Sequence, residues 1–174
     1  LFFVIVFAAS WTLNSFNDAK KRLLLAASYV FYAQWDKLFV FLLLASALWN
    51  YGAALLLERW RKGALHQPLL IAAVSGNLLL LGYFKYYDFL TAQIVNLFAL
   101  GGVSINLGQT GVALPVAISF LTFHGISYIV DVHRQKVAAS RSMRDVMLYM
   151  AFFPHLVAGP IVRAADFLHQ LRSE

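Results

Sequence analysis

The chain contains no cysteine. Disulfides, thiolate metal sites and a cysteine nucleophile are therefore excluded, and the redox compartment is left open. Charge is also scarce: 13% of the 174 residues are charged, against about 25% in an ordinary soluble domain. Acidic residues are the scarcest, 8 against 14 Lys and Arg, which leaves a net charge of +6. Such an excess can mark a nucleic-acid binder. Here the basic residues fall in short clusters between apolar runs, the pattern of membrane-protein loops, so nucleic acid is not an expected partner. Nucleophile and nucleotide signatures are missing as well: there is no GxSxG, P-loop or dinucleotide fingerprint. His66, His124, His133, His155 and His169 form no i,i+4 ligand pair, so no metal site is expected. There is no internal repeat and no low-complexity tract.

What is present is apolar. Hydrophobic residues make up 61% of the chain, and the mean hydropathy is +0.69. Uncharged runs organise it. Leu1–Asn17 reads as a first span, and residues 1–16 lack the basic start and small-x-small cleavage site of a signal peptide. Asn17–Arg22 is a polar connection carrying Lys20, Lys21 and Arg22. Leu23–Trp35 is short but workable, Asp36 and Lys37 make a tight turn, and Leu38–Leu57 is long enough to span. Glu58–Gln67 holds Arg59, Arg61 and Lys62. Pro68–Phe84 spans again and ends in an aromatic and basic belt from Tyr83 to Tyr87. Asp88–Leu100 is apolar but short, and Gly101–Gly111 reads as a loop. Val112–Val130 is the next span, Asp131–Asp145 a charged loop, and Val146–Val162 the last apolar run. The expected fold is all-α: one polytopic membrane domain over 1–174, with roughly five transmembrane helices and re-entrant or interfacial pieces. The opening on Leu1 and the stop at Glu174 suggest a fragment of a longer protein.

The basic clusters at 20–22, 59–62 and 134–144 should share the cytoplasmic side. Span parity agrees if 89–100 does not cross. Its 12 residues would rise about 18 Å as a helix, short of a core of about 30 Å.

The segment Phe152–Arg163, FFPHLVAGPIVR, stands apart. It places the ionisable His155 directly after Pro154 and shortly before Gly159 and Pro160. Pro removes a backbone donor and Gly loosens the chain. In lipid, a broken backbone persists only where protein or a water-filled cavity satisfies the freed groups. The segment therefore reads as the wall of a buried polar cavity for a substrate or an ion. On the preceding span His124, Ser127, Tyr128, Asp131 and Arg134 share one arc of roughly 120°, opposite Val116, Phe123, Ile126 and Val130. Ser127, Tyr128 and His124 fit helix–helix hydrogen bonding as well as a site. Asp131 and Arg134 fit an interfacial ion pair or solvated charges. Trp49, Asn50 and Asn77 are isolated in apolar runs and read as packing residues. His155 has no acidic partner nearby in sequence, so general-base catalysis cannot be assigned to it.

Four blocks carry a family resemblance: LLLAASYVFYAQW at 23–35, LGYFKYYDF at 81–89, LPVAISFLTFHGISYIVDVHR at 114–134 and FFPHLVAGPIVR at 152–163. In this order they resemble the membrane-bound O-acyltransferase (MBOAT) family, and within it the branch that acetylates alginate. Ala117 stands where relatives typically have Gly, and His133 where they typically have Tyr. The resemblance implies acyl transfer across a bacterial cytoplasmic (inner) membrane by a multi-pass protein. It implies no bound cofactor, an acyl donor such as acetyl-CoA arriving from the cytoplasm as co-substrate, and membrane lipid as surroundings. The acceptor would be an extracellular or cell-surface polysaccharide such as alginate, or an extracytoplasmic acyltransferase partner. The family's essential His lies beyond the FFPxLxAGPIxR block, so no catalytic residue is expected before Glu174. By the same resemblance His155, Pro154, Gly159, Pro160 and Arg163 line the region of the catalytic tunnel, with His124 and Asp131 as further tunnel or structural candidates. Two other readings stay open: a D-alanyl or other acyl transferase for cell-envelope polymers, and a secondary transporter or flippase, in which broken helices also line midplane sites.

Overall fold

The computed structural model describes residues 2–13, 17–35, 37–108, 118–154 and 163–173. Among these there are seven helices: α1 (Phe2–Thr12), α2 (Asn17–Trp35), α3 (Lys37–Arg59), α4 (His66–Leu100), α5 (Ile118–His133), α6 (Met143–Ala151) and α7 (Ala164–Ser173). The all-helical expectation holds.

α3 is the centre of the packing. Its buried stripe runs Phe39, Leu43, Ala47, Asn50, Ala54, Leu57, with steps of three and four that keep one face inward. α5 lies on α3 and α4, while α6 lies on α2 and α3 and α7 closes against α5 and α6. α5 comes very close to α3 at Gly125: a Cβ there would meet the Asn50 side chain at 2.5 to 2.8 Å. Asn50 in turn pairs with Asn77 of α4 through reciprocal amide bonds of 3.2 and 3.0 Å. Each amide also donates within its own helix, Asn50 to the Ser46 carbonyl at 2.8 Å and Asn77 to the Ala73 carbonyl at 2.9 Å. A satisfied buried amide pair joins α3 and α4, with α5 packed on it, where apolar contact alone would allow sliding.

Several boundaries differ from the sequence reading. Asn17–Arg22 is the first turn of α2 and not a connection, because Lys and Arg are good helix formers and charge does not break a helix. The 89–100 run is not a separate piece. α4 continues unbroken through the aromatic belt for 35 residues, about 52 Å. Nothing between Tyr83 and Leu100 is Gly or Pro, and Pro68 sits harmlessly in the first turn. α4 stops where Gly102 takes a left-handed conformation (φ 78°) and Val103 N–H reaches back to the Phe98 carbonyl at 3.0 Å. α5 ends in the same way at Gln135 (φ 60°), with Lys136 N–H bonded to the Asp131 carbonyl at 2.9 Å.

The three basic loops meet at one end of the bundle. Lys21 pairs with Asp145 at 3.4 Å, Arg144 with Asp18 at 3.6 Å and Arg141 with Glu58 at 2.9 Å. At the same end His66, opening α4, stacks on His133, closing α5, with ring centroids 4.3 Å apart. Burial, then the neighbouring His66 and Arg134, hold the His133 pKa below its ordinary value.

α3 and α4 are both long and apolar enough to cross a membrane. α4 is no soluble core helix, since its most apolar stretch is only 11% buried. Leu78, Leu79, Tyr83, Phe89 and Leu97 all face outward from it, an apolar surface that water does not tolerate at this extent.

Candidate functional site

The broken segment is positioned by α6. That helix starts at Ser142, whose hydroxyl accepts from Asp145 N–H at 3.3 Å as an N-cap. Asp145 is also the partner of Lys21, so α6 begins level with the start of α2. It then runs for 9 residues only, about 13 Å against a core of about 30 Å. It ends at Phe152, which is extended (φ −61°, ψ 100°), two residues before Pro154. The break thus falls near mid-depth of the bundle.

One backbone donor at the break is satisfied from α2. Phe153 N–H donates to the Ser28 hydroxyl at 3.4 Å, and that hydroxyl donates to the Leu24 carbonyl at 2.8 Å. Ser28 is fully buried. Here α2 supplies from a side chain what the interrupted helix no longer supplies to itself. The two rings of the break touch each other, with centroids 6.3 Å apart, and each has further ring partners. The Phe153 ring lies 5.4 Å from Phe31 and 5.6 Å from Phe2, whereas Phe152 turns to Phe167 of α7 at 5.4 Å.

His124 comes to the same neighbourhood from α5. It is buried, with its ring edge-on to Phe120 at 4.1 Å and to Tyr149 of α6 at 5.1 Å. Tyr149 donates to the His124 carbonyl at 3.5 Å and packs its ring on Phe167 at 5.6 Å. Tyr128, one turn further on, accepts from Ser140 N–H at 3.0 Å. The polar arc of α5 therefore faces inward while Phe123, on the opposite arc, is exposed. Tyr128 is helix glue, as a packing role requires. Asp131 is half-buried at the loop end, makes no ion pair among the described residues and acts electrostatically on Tyr149, whereas Arg134 is exposed.

Of the tunnel candidates, Pro154 follows α6 half-buried and Arg163 precedes α7 exposed. His155, Gly159 and Pro160 lie outside the described residues, as does Ala117. The structure brings His124 and the start of the break together through Tyr149, and leaves Asp131 two turns away. Sequence reasoning missed Ser28 and Tyr149. A single Ser in the apolar run LLLAASYV was the available signal for the first. The ring of Tyr149 gave none, because its importance arises from contacts with α5 and α7.

No family profile matches the chain, and no solved structure does. Curated relatives do match. A protein named a probable alginate O-acetylase, AlgI, of Pseudomonas putida is 38% identical over 157 residues, covering 88% of this chain and 32% of the relative. Its namesake in Azotobacter vinelandii is 39% identical over 157 residues, covering 87% and 30%. A peptidoglycan O-acetyltransferase of Helicobacter pylori is 30% identical over 178 residues, covering 88% and 33%. The chain spans about a third of the length of these relatives. Sustained over most of its residues, these identities make the chain a homologue of the O-acetylases, as the membrane-bound O-acyltransferase motifs lead one to expect.

Proposed function

We propose that this chain is the N-terminal part of a multi-pass enzyme of the bacterial cytoplasmic membrane that moves acetyl groups onto an extracellular or cell-surface polysaccharide such as alginate. The observation that carries the reading is the similarity to O-acetylases over most of the chain. The mid-depth interruption of α6 supports it, because acyl transfer between two compartments needs a polar passage at that depth. No comparable observation favours a D-alanyl transferase or a transporter.

In this reading the basic end of the bundle faces the cytoplasm, from which acetyl-CoA delivers the acyl group. A polymer hydroxyl, or that of an extracytoplasmic partner enzyme, attacks the thioester carbonyl from the other side. Its proton passes to a base, the C–S bond breaks, and the departing sulfur takes that proton to leave as the CoA thiol. The base is expected on a membrane helix outside these residues. His155, Pro154, Gly159, Pro160 and Arg163 border the tunnel, and the interrupted helix leaves backbone groups free to line it. His124 supports that wall from α5 through Tyr149, and Asp131 sits at its cytoplasmic rim.

The test is His155→Ala in the full-length enzyme. Polymer acetylation should fall by about tenfold or more, as when a substrate-positioning group is lost, with membrane insertion and yield of folded protein unchanged. Unchanged turnover in well-folded protein rejects the tunnel role. Activity that falls only in step with folded protein reduces His155 to a packing residue.

A further inference from the structure

A groove runs between α3 and α4 on the outer face of the hairpin. It has two hollows, of ≈230 Å³ beside Gly52, Leu56 and Leu69, and of ≈270 Å³ beside Ala45, Gly76 and Leu80. Trp49 borders both. Its indole N–H donates to the Ala73 carbonyl at 3.2 Å and its ring lies over Gly76, where a Cβ would meet it at 2.5 Å. The ring is thereby fixed as a ridge between the hollows, yet it is 48% exposed. Gly52 has nothing within 4 Å of where a Cβ would stand, so its hollow is open. The polar residues that line it, Asn77 and Ser46, are already engaged with Asn50 beneath them, so the groove offers mainly apolar contact.

Length and charge point to what fills it. From Ala45 to Leu56, and from Leu69 to Leu80, the groove covers about 16 Å at 1.5 Å per residue. That is roughly half of a hydrocarbon core of about 30 Å, the depth of one leaflet. At the Leu56–Leu69 end the hairpin turns through Arg59, Arg61 and Lys62. All three are exposed, and none makes an ion pair among the described residues, whereas Lys21, Arg141 and Arg144 are all paired. Arg59 sits three residues beyond Leu56 on the same row of α3, and Trp60 directly follows the helix, its N–H bonded to the Leu56 carbonyl at 2.9 Å. Trp60 is exposed, as an indole at a membrane–water boundary is expected to be.

We propose that this groove is a binding site for one anionic phospholipid, with an acyl chain lying across Trp49 and the phosphate on Arg59, Arg61 and Lys62. The proposal rests on α3 and α4 crossing a bilayer. Each basic residue near an anionic head group favours it by about fivefold, the equivalent of ~1 kcal/mol.

The experiment uses full-length protein with Trp49 as its sole tryptophan. It is reconstituted in phosphatidylcholine vesicles containing a minor fraction of brominated phosphatidylglycerol, or the same fraction of brominated phosphatidylcholine. Bromine quenches tryptophan on contact. The expected result is severalfold stronger quenching of Trp49 by the brominated phosphatidylglycerol. Neutralising Arg59, Arg61 and Lys62 to Gln should erase the difference, and Gly52→Phe should reduce quenching by both lipids. Equal quenching by both in the parent protein overturns the site and leaves only bulk lipid. A second protein, Leu79→Trp with Trp49→Phe, reports on the membrane itself, since Leu79 is 73% exposed on α4. If tryptophan at 79 is quenched and Trp49 is not, another protein segment fills the groove and the proposal fails. If tryptophan at 79 is not quenched either, the bilayer-crossing reading of α4 fails with it.

Discussion

At the scale of single residues, Gly125 is tightly constrained by α3. Its neighbour Asn50 is fully buried and held by Asn77 and by the Ser46 carbonyl, so it cannot yield to a new methyl group. Gly125→Ala should destabilise the purified protein in detergent by about 1–3 kcal/mol, the usual penalty of overpacking. Gly52→Ala, with open space around it, should be neutral or gain about 0.5–1 kcal/mol from helix propensity. Thermal unfolding followed by circular dichroism checks both. Equal melting temperatures for the two variants would remove the close approach of α5 and α3 from the account. Trp49, Asn50 and Asn77 were readable as packing residues, since isolated polar groups in apolar helices must find partners. That Gly125 had to be glycine was not readable, because the atom that excludes a side chain lies 75 positions away in the chain.

At the scale of elements, the contact between the start of α4 and the end of α5 should be sensitive to acid. His66 and His133 stack with rings 16° from parallel, and the Nδ1 atom of each is buried without a hydrogen-bond partner among the described residues. The His133 pKa is lowered from 6.5 in the fold. Well above that value both folded and unfolded chains are neutral at this position, and it contributes nothing to pH dependence. As pH falls through it, the unfolded chain takes the proton first, so stability is lost on acidification. Melting temperature should therefore drop between about pH 7.5 and about pH 5, the range in which imidazole titrates. His133→Phe keeps a ring on His66 and should flatten part of that dependence. A variant with the same acid slope as the parent would place the sensitivity elsewhere. Periodicity exposed the long helices, and the Gly101–Gly102 pair marked the end of α4. The continuity of α4 past the belt was missed because the span was judged by hydrophobic length, whereas a helix is limited by its backbone breakers.

For the molecule as a whole, three ion pairs and the histidine stack gather the 17–22, 58–67 and 131–145 segments at one end. Gly108 lies in the exposed stretch after α4. With the basic end cytoplasmic, a cysteine at Arg141 should resist a membrane-impermeant thiol reagent added to intact cells, and one at Gly108 should react. Labelling at position 141 but not at 108 would reverse the orientation. The ≈52 Å reach of α4, longer than the core by about 22 Å, carries its far end out on the side of Gly108. The sequence led to this parity through two crossings between successive basic clusters, with the 89–100 run too short to cross, and that run proved to be part of a longer helix.

Composition and pattern alone determined the membrane class, the helical architecture and the shared side of the basic clusters. They did so because apolar length and loop charge are local properties that a bilayer reads directly. The motif FFPHLVAGPIVR also announced a broken helix by itself, since Pro and Gly act on the backbone they occupy. Only tertiary structure decided where the break falls and what satisfies it. The short α6 had to be levelled against α2 by Lys21 and Asp145 before Phe153 could find the Ser28 hydroxyl, 125 residues distant. It also decided that His124 and Tyr128 of α5 face inward and that α3 and α4 leave a groove beside cations that make no ion pair among the described residues. Each of these depends on which helices become neighbours, and that is set by the fit of side chains between elements, which no single segment encodes.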